Sequence, residues 1–246
     1  MRHPPPCAAE PQDVNPDGPI RGASLFAPLP VIEKGWSCIS FDPPLHFVSW
    51  GPGGQGRAPS GHYKTHPIET LATLPVQAVL ARHAWGFFWS SGAPFDKTRA
   101  LMPAWGFKYS SVGFVWFKLK RSNGAGPRFI STSDLESEFF FGLGKTTRQG
   151  VEFCLLGRRG RTKRLAKDVR QIICAPVREH SRKPDELYER VEQFCPGPRL
   201  DLFGRQSRVD WAVRGDERTK FDPAPSIRAA AEADELTRIA EVEERG

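Results

Sequence analysis

No stretch of the sequence approaches the roughly 18 uninterrupted apolar residues that a membrane-spanning helix needs, so a membrane-embedded protein is not expected. Met1-Arg2-His3-Pro4-Pro5-Pro6 leads into no apolar core of a secretory signal, and the expected location is cytoplasmic. The five cysteines, Cys7, Cys38, Cys154, Cys174 and Cys195, are odd in number and widely spaced, with no Cys-x-x-Cys pair. That pattern argues against a disulfide framework and against a zinc site, so no metal is expected. The cysteines read as small core hydrophobes in a reducing compartment. No internal repeat is visible. Acid is in deficit, with 28 Asp and Glu against 35 Lys and Arg, a net charge of +7. An excess of this size weakly favours a polyanionic partner.

What is present is enough for one core. With 246 residues, 39% of them hydrophobic, the default is one domain with tails. Residues 1–33, rich in Pro, Ala and Gly, read as a largely disordered arm. Residues 34–218 carry the folded domain, and 219–246 a helical or flexible tail with an Ala-rich stretch from Ala229 to Val242.

The chain is organised around Ser40-Phe41-Asp42-Pro43-Pro44-Leu45-His46-Phe47. Trp36 to Phe41 reads as a buried strand. Proline lacks an N–H, fixes φ and pushes the preceding residue into an extended conformation, so the strand stops at Asp42. In an α/β sheet that edge is where ligands bind. A stiff loop there, with one carboxylate and one carbonyl lacking a neighbouring N–H, would be an acceptor pair for an amine. Alone, such a tripeptide is more often a plain turn. Ser49 to Gly61 holds five glycines and reads as a mobile loop, either a lid or a surface excursion.

Further on, a helix opens at Pro67 with Glu69 in its first turn, and the helical region breaks near Pro75. Ala84–Trp89, Phe107–Lys118, Val151–Leu156, Gln171–Cys174 and Leu200–Phe203 read as strands. Pro94–Ala104 and Pro184–Phe194 read as helices, with Pro184 in the first turn ahead of Asp185 and Glu186. Strand, helix and strand alternate, which predicts a parallel sheet covered by helices. Between two of these strands, Gly157 to Arg170 carries Arg158, Arg159, Arg161, Lys163, Arg164, Lys167 and Arg170 against one acid, Asp168. It would hold phosphates without reading sequence; the competing reading is a solvated loop.

Taken in order, these blocks resemble the MT-A70 family of adenine-N6 methyltransferases, in its bacterial and phage branch, over about Lys34 to Glu217. Asp42-Pro43-Pro44 is similar to the family's Asp-Pro-Pro-aromatic motif, and His62-Tyr63-Lys64-Thr65 to the segment that follows it. Trp105 to Tyr109 and Phe114 to Lys118 are similar to its central strand. Gly142-Leu143-Gly144 with Arg148-Gln149, Glu152 and Leu155-Leu156-Gly157 is similar to its next block. Arg178-Glu179-His180-Ser181-Arg182-Lys183-Pro184-Asp185-Glu186 is the most specific match, followed by Leu202-Phe203-Gly204-Arg205 and Trp211.

The resemblance implies a Rossmann-like α/β methyltransferase fold in the permuted, β-class motif order, a single domain that uses S-adenosyl-L-methionine. It implies that Asp42, Pro43, Pro44 and Leu45 form the catalytic loop. Asp42, Lys183, Arg205, Ser207, Asp216 and Glu217 would contact the cofactor, with Lys183 on its methionyl carboxylate. His62, Tyr63 and the basic residues Arg158, Arg159, Arg161, Lys163 and Arg164 would meet the nucleic acid. DNA is the implied substrate, with RNA or a catalytically weak nucleic-acid-binding member as alternatives. A homodimer or a partner methyltransferase-like subunit is compatible with it; a membrane partner is not implied. Six residues at four places depart from the family pattern. Leu45 replaces an aromatic, and restoring one should raise turnover modestly. Lys145-Thr146 stand where an aromatic pair is common and Gly150-Val151 where Asn-His is common, and Asp216 replaces Asn.

Overall fold

The computed structural model describes residues 28–46, 64–121, 135–142 and 147–223. The readings made for the N-terminal arm up to residue 27, for the glycine-rich loop with His62 and Tyr63, for Lys145-Thr146 and for the tail helix lie outside those residues. Seven strands form one sheet: β1 (Trp36–Phe41), β2 (Leu80–Ser90), β3 (Lys108–Leu119), β4 (Val151–Arg159), β5 (Ile172–Pro176), β6 (Arg199–Leu202) and β7 (Trp211–Arg214). Their spatial order is β5-β3-β4-β2-β1-β6-β7. The helices are α1 (Ile68–Ala72), α2 (Val76–Val79), α3 (Phe95–Ala104), α4 (Leu135–Glu138) and α5 (Asp185–Phe194).

The sheet is mixed, which corrects the all-parallel expectation. β4 lies between β2 and β3 and is antiparallel to both, whereas the remaining pairs are parallel. The connections account for this. A parallel return needs a crossover of a dozen or so residues, usually a helix. The ten-residue α3 supplies one between β2 and β3. Between β3 and β4 the described residues contain the four-residue α4 alone, and the chain comes back antiparallel. Six strands therefore point their C-terminal ends at one edge of the sheet, and β4 points its own at the other.

Strand alternation divides the core between two faces. Ile39 and Phe41 of β1 and Phe88 of β2 join Leu71, Leu101 and Trp105 from the α1–α3 side. Cys38 and Phe87 join Leu187 and Val191 from α5, and Cys195 just after it, on the other side. Phe41 sits at the centre of the first face, stacked on Phe88 at 4.4 Å and on Trp105 at 5.0 Å between ring centroids. The Trp105 indole N–H donates to the Leu71 carbonyl at 3.0 Å, which ties α1 to the end of α3. This three-layer arrangement is the Rossmann-like fold.

Local details sharpen the sequence reading. Leu29 is buried, and the Trp36 indole N–H donates to the Pro30 carbonyl at 2.7 Å. Leu29 and Pro30 therefore pack against the domain ahead of β1. Cys38, Cys154 and Cys195 are buried as expected, but Cys174 is exposed because it lies on β5, at the border of the sheet. Pro184 is the extended N-cap of α5 and not its first residue.

Candidate active site

β1 delivers Asp42 to the edge where the parallel strands end, and the Asp42 N–H still donates to Leu202 of β6 at 3.3 Å. The loop after it is tightly tied. The Leu45 N–H donates to the Pro43 carbonyl at 2.8 Å, the His66 N–H to the Pro44 carbonyl at 2.8 Å, and the His46 N–H to the His66 carbonyl at 2.9 Å. The Pro43 carbonyl thus has an N–H partner, contrary to the sequence expectation, because the chain turns within three residues. A carbonyl oxygen has two lone pairs, so one acceptor site remains.

Asp42 heads a buried ladder of charge. Lys183 Nζ lies 3.0 Å from Asp42 Oδ2 and 3.1 Å from Glu152 Oε2, and Glu152 Oε1 is 2.6 Å from Lys118 Nζ. Burial works against the charge on Lys183, yet Asp42 and Glu152 outweigh it and raise the ammonium above its ordinary value. Burial likewise works against the Glu152 carboxylate, but Lys183 and Lys118 hold it down at about 2. Lys183 and Glu152 therefore stay ionised across the physiological range. Lys183 reaches the ladder from the residue before the α5 N-cap, in a loop fixed by Arg178, whose guanidinium bonds Asp185 at 2.7 Å and also the Lys183 carbonyl.

A second buried acid faces the same space. Asp201 of β6 is 2% exposed and accepts the Tyr188 hydroxyl at 2.9 Å. Burial pushes its carboxyl up to about 7, against the Tyr188 hydrogen bond and helped by the charge of Asp42. Its unfolded value lies near 3.8. Between about pH 4 and 7 the folded chain holds the proton that the unfolded chain has lost, so this group lowers stability as pH rises through that window. Asp201→Asn should remove that slope from urea unfolding measured at several pH values; an unchanged slope would mean that Asp201 is ionised in the fold.

Asp42, Lys183, Arg205, Asp201, Trp89 and Phe221 border one cleft, with about 350 Å³ of open space. Gly204 is required beside it: a Cβ there would stand 2.5 Å from Asp201 Oδ2. Trp89 is 2% exposed, and its indole N–H has no partner among the described residues. Paired cations, buried acids and an uncommitted donor suit a small zwitterion that also carries hydroxyls. Among the described residues no group of His, Cys, Asp and Glu could hold a metal ion.

Three of the expected residues, Asp42, Lys183 and Arg205, thus come together in one cleft. Glu217 lies beside it, its Oε2 3.5 Å from Arg205 Nε. Ser207 donates its N–H to Asp222 at 2.6 Å and is exposed. Asp216 is exposed after β7, and its charge reaches His66, opposing the burial and the Lys64 charge that hold that imidazole below its ordinary value. Leu45 does not face the cleft. It is 4% exposed and packs in the core with Phe41 and Leu71. The expectation that an aromatic at Leu45 would raise turnover gives way to a steric one. Leu45→Phe overpacks this loop and should cost about 1–3 kcal/mol, read as a lower urea midpoint. An unchanged midpoint would show that the loop has room to spare. Arg158, Arg159, Arg161, Lys163 and Arg164 lie at the opposite edge of the sheet, where β4 ends, and do not share the cleft. Trp89, Tyr188 and Asp201 were not singled out in the sequence. An acid inside the apolar run Leu200–Phe203 was the one available signal.

Comparison with known proteins shows which sequences the chain is similar to. A family model described as MT-A70 matches residues 36–217. The chain is 27% identical over 152 residues to the type II methyltransferase M.MunI of a Mycoplasma species, covering 61% of this chain and 57% of that protein. It is 29% identical over 158 residues to a putative N(6)-adenosine-methyltransferase MT-A70-like protein of Medicago truncatula, covering 63% and 24%. It is 29% identical over 143 residues to the N(6)-adenosine-methyltransferase catalytic subunit METTL3 of Homo sapiens, covering 56% and 22%. The chain therefore spans a little over half of the first relative and about a quarter of the other two.

Proposed function

The chain belongs to the MT-A70 family, and from that premise we propose that it transfers a methyl group from S-adenosyl-L-methionine to the N6 amine of adenine in DNA. The observation that carries the reading is the placement of Asp42 at the mouth of a cleft that also holds Lys183 and Arg205. DNA is preferred because the chain spans 57% of the type II methyltransferase and 22% of the human adenosine methyltransferase. RNA is the second reading, favoured by the adenosine methyltransferases among the relatives.

The amine of adenine is a poor nucleophile because its lone pair is delocalised into the ring. Lys183 engages Asp42 Oδ2, which leaves Oδ1 to accept one amine N–H; the spare acceptor site on the Pro43 carbonyl takes the other. Two acceptors in fixed places localise the lone pair and aim it, which is electrostatic preorganisation. Lys183, Arg205 and the Trp89 indole N–H would hold the cofactor, with Ser207, Asp216 and Glu217 at its outer side. When bound, it supplies an electrophilic methyl group. In duplex DNA the base must leave the stack first, and Tyr63 and His62 are the proposed contacts to it. A second copy or a methyltransferase-like subunit is a compatible partner.

The test is a transfer assay with labelled cofactor on unmethylated genomic DNA and on RNA in parallel, with the product nucleoside identified by mass spectrometry. N6-methyladenine from DNA is expected. Label in RNA alone would move the substrate to the second reading. No label in either, with the cofactor bound, would reduce the protein to a nucleic-acid-binding member of its family.

A further inference from the structure

β4 runs against its neighbours, so Arg159 pairs with Ala84 and Arg158 with Lys108, at the edge where β2 and β3 begin. Asp42 follows Phe41, which pairs with Phe88. The two levels are separated by about five residues of strand, roughly 17 Å along the sheet. The segment after β4 does not dangle there. Trp85 donates its indole N–H to the Lys163 carbonyl at 3.1 Å, and the Arg161 N–H donates to His83 Nδ1 at 3.1 Å. The Leu165 and Ala166 N–H groups cap the end of α5, on the carbonyls of Phe194 at 2.8 Å and Gln193 at 3.2 Å. Arg190 reaches the carbonyls of Arg170 at 2.6 Å and Ile172 at 2.7 Å. Gly160 makes the turn with φ +64°, and a Cβ there would stand 2.3 Å from His83 Nδ1.

This pinned backbone presents Arg82, Lys108, Arg158, Arg161, Lys163 and Arg164 to solvent, all exposed. Among the described residues none of the six forms an ion pair with a carboxylate. Six like charges at one edge repel one another, and no ion pair among the described residues offsets that cost. A polyanion with closely spaced charges would, and DNA carries about one negative charge per 1.7 Å of helix axis.

We propose that this edge is a second nucleic-acid surface, separate from the cleft, that grips the phosphate backbone away from the base being modified. It reads no sequence, because no base-edge partner is built into it. A duplex lying across the cleft edge reaches the other edge only by bending, so the surface engages long nucleic acid that bends round the domain, or a distant stretch of it. The surface thereby makes affinity depend on substrate length.

The test is binding by fluorescence anisotropy across a salt series, with a labelled duplex of about 40 base pairs, an RNA of the same length and a single strand of about 12 nucleotides. The triple variant Arg161→Gln/Lys163→Gln/Arg164→Gln should bind the long duplex at least about tenfold more weakly, with a log–log salt slope shallower by about 2–3. The short strand and S-adenosyl-L-methionine should bind as before. Loss on the long RNA alone would also support the surface and would assign it to RNA. An unchanged slope on both long probes would overturn the proposal, as would an equal loss on the short strand, which would put these cations on the path to the cleft. Binding is read without methyl transfer, so failure of the proposed activity leaves this result interpretable.

Discussion

Asp42→Ala should abolish methyl transfer, by at least about 10²–10³-fold in kcat, while cofactor affinity is kept or tightened. The first half follows from the acceptor role: the other acid bordering the cleft, Asp201, is buried and already accepts the Tyr188 hydroxyl. The second follows from the ion pair. Lys183 Nζ sits 3.0 Å from Asp42 Oδ2, so removing the carboxylate leaves the ammonium with Glu152 and one direction open for an anionic ligand group. Asp42→Asn keeps an acceptor oxygen and should retain a fraction of the rate. Titration of cofactor into both variants by calorimetry, beside single-turnover assays, separates the two effects. Equal loss of binding and rate would contradict the role given to Asp42.

Lys183 carries the other large effect. Lys183→Met should weaken cofactor binding and also destabilise the fold, by up to about 3–5 kcal/mol, because two carboxylates then share a site without their common cation. Lys118 remains on Glu152 and moderates the loss. The pH dependence has a definite sign. Glu152 is held at about 2 against an ordinary value of 4.5. Its contribution is fully present above pH 4.5 and is lost as pH falls through about 2. In Lys183→Met that acid window should move upward. The double variant Lys183→Met/Glu152→Gln should regain stability without regaining cofactor affinity. Recovery of both together would mean that Lys183 acts on the cofactor only through the fold.

The sequence made the local grammar legible. A strand followed by Asp42-Pro43-Pro44 must end where it does, because two prolines remove the donors that would continue it. Lys183 ahead of Pro184 was placed at a helix start for equally local reasons. What escaped was set by pairing over long distances. Trp89 read as the end of an apolar run; its place beside Asp42 follows from the register of β2 on β1. β7 is four residues long and buries little beyond Trp211, too weak a pattern to stand out. The beginning of β2, with Arg82 and His83 exposed, looks polar because it extends past the core. The direction of β4, and so the separation of the basic segment from the cleft, depends on a connection and not on the strand's own residues.

The order of the central strands also bears on synthesis. β1 and β6 are neighbours in the sheet, with Cys38 opposite Arg199 and Phe41 opposite Leu202, although some 160 residues of chain lie between them. Asp42 leaves the ribosome some 160 residues ahead of the far wall of its cleft, Asp201 and Arg205. A nascent or prematurely terminated product therefore carries the Asp42 carboxylate with no cleft around it. The proposed binding of cofactor and base would therefore wait until the chain has been made through Arg205.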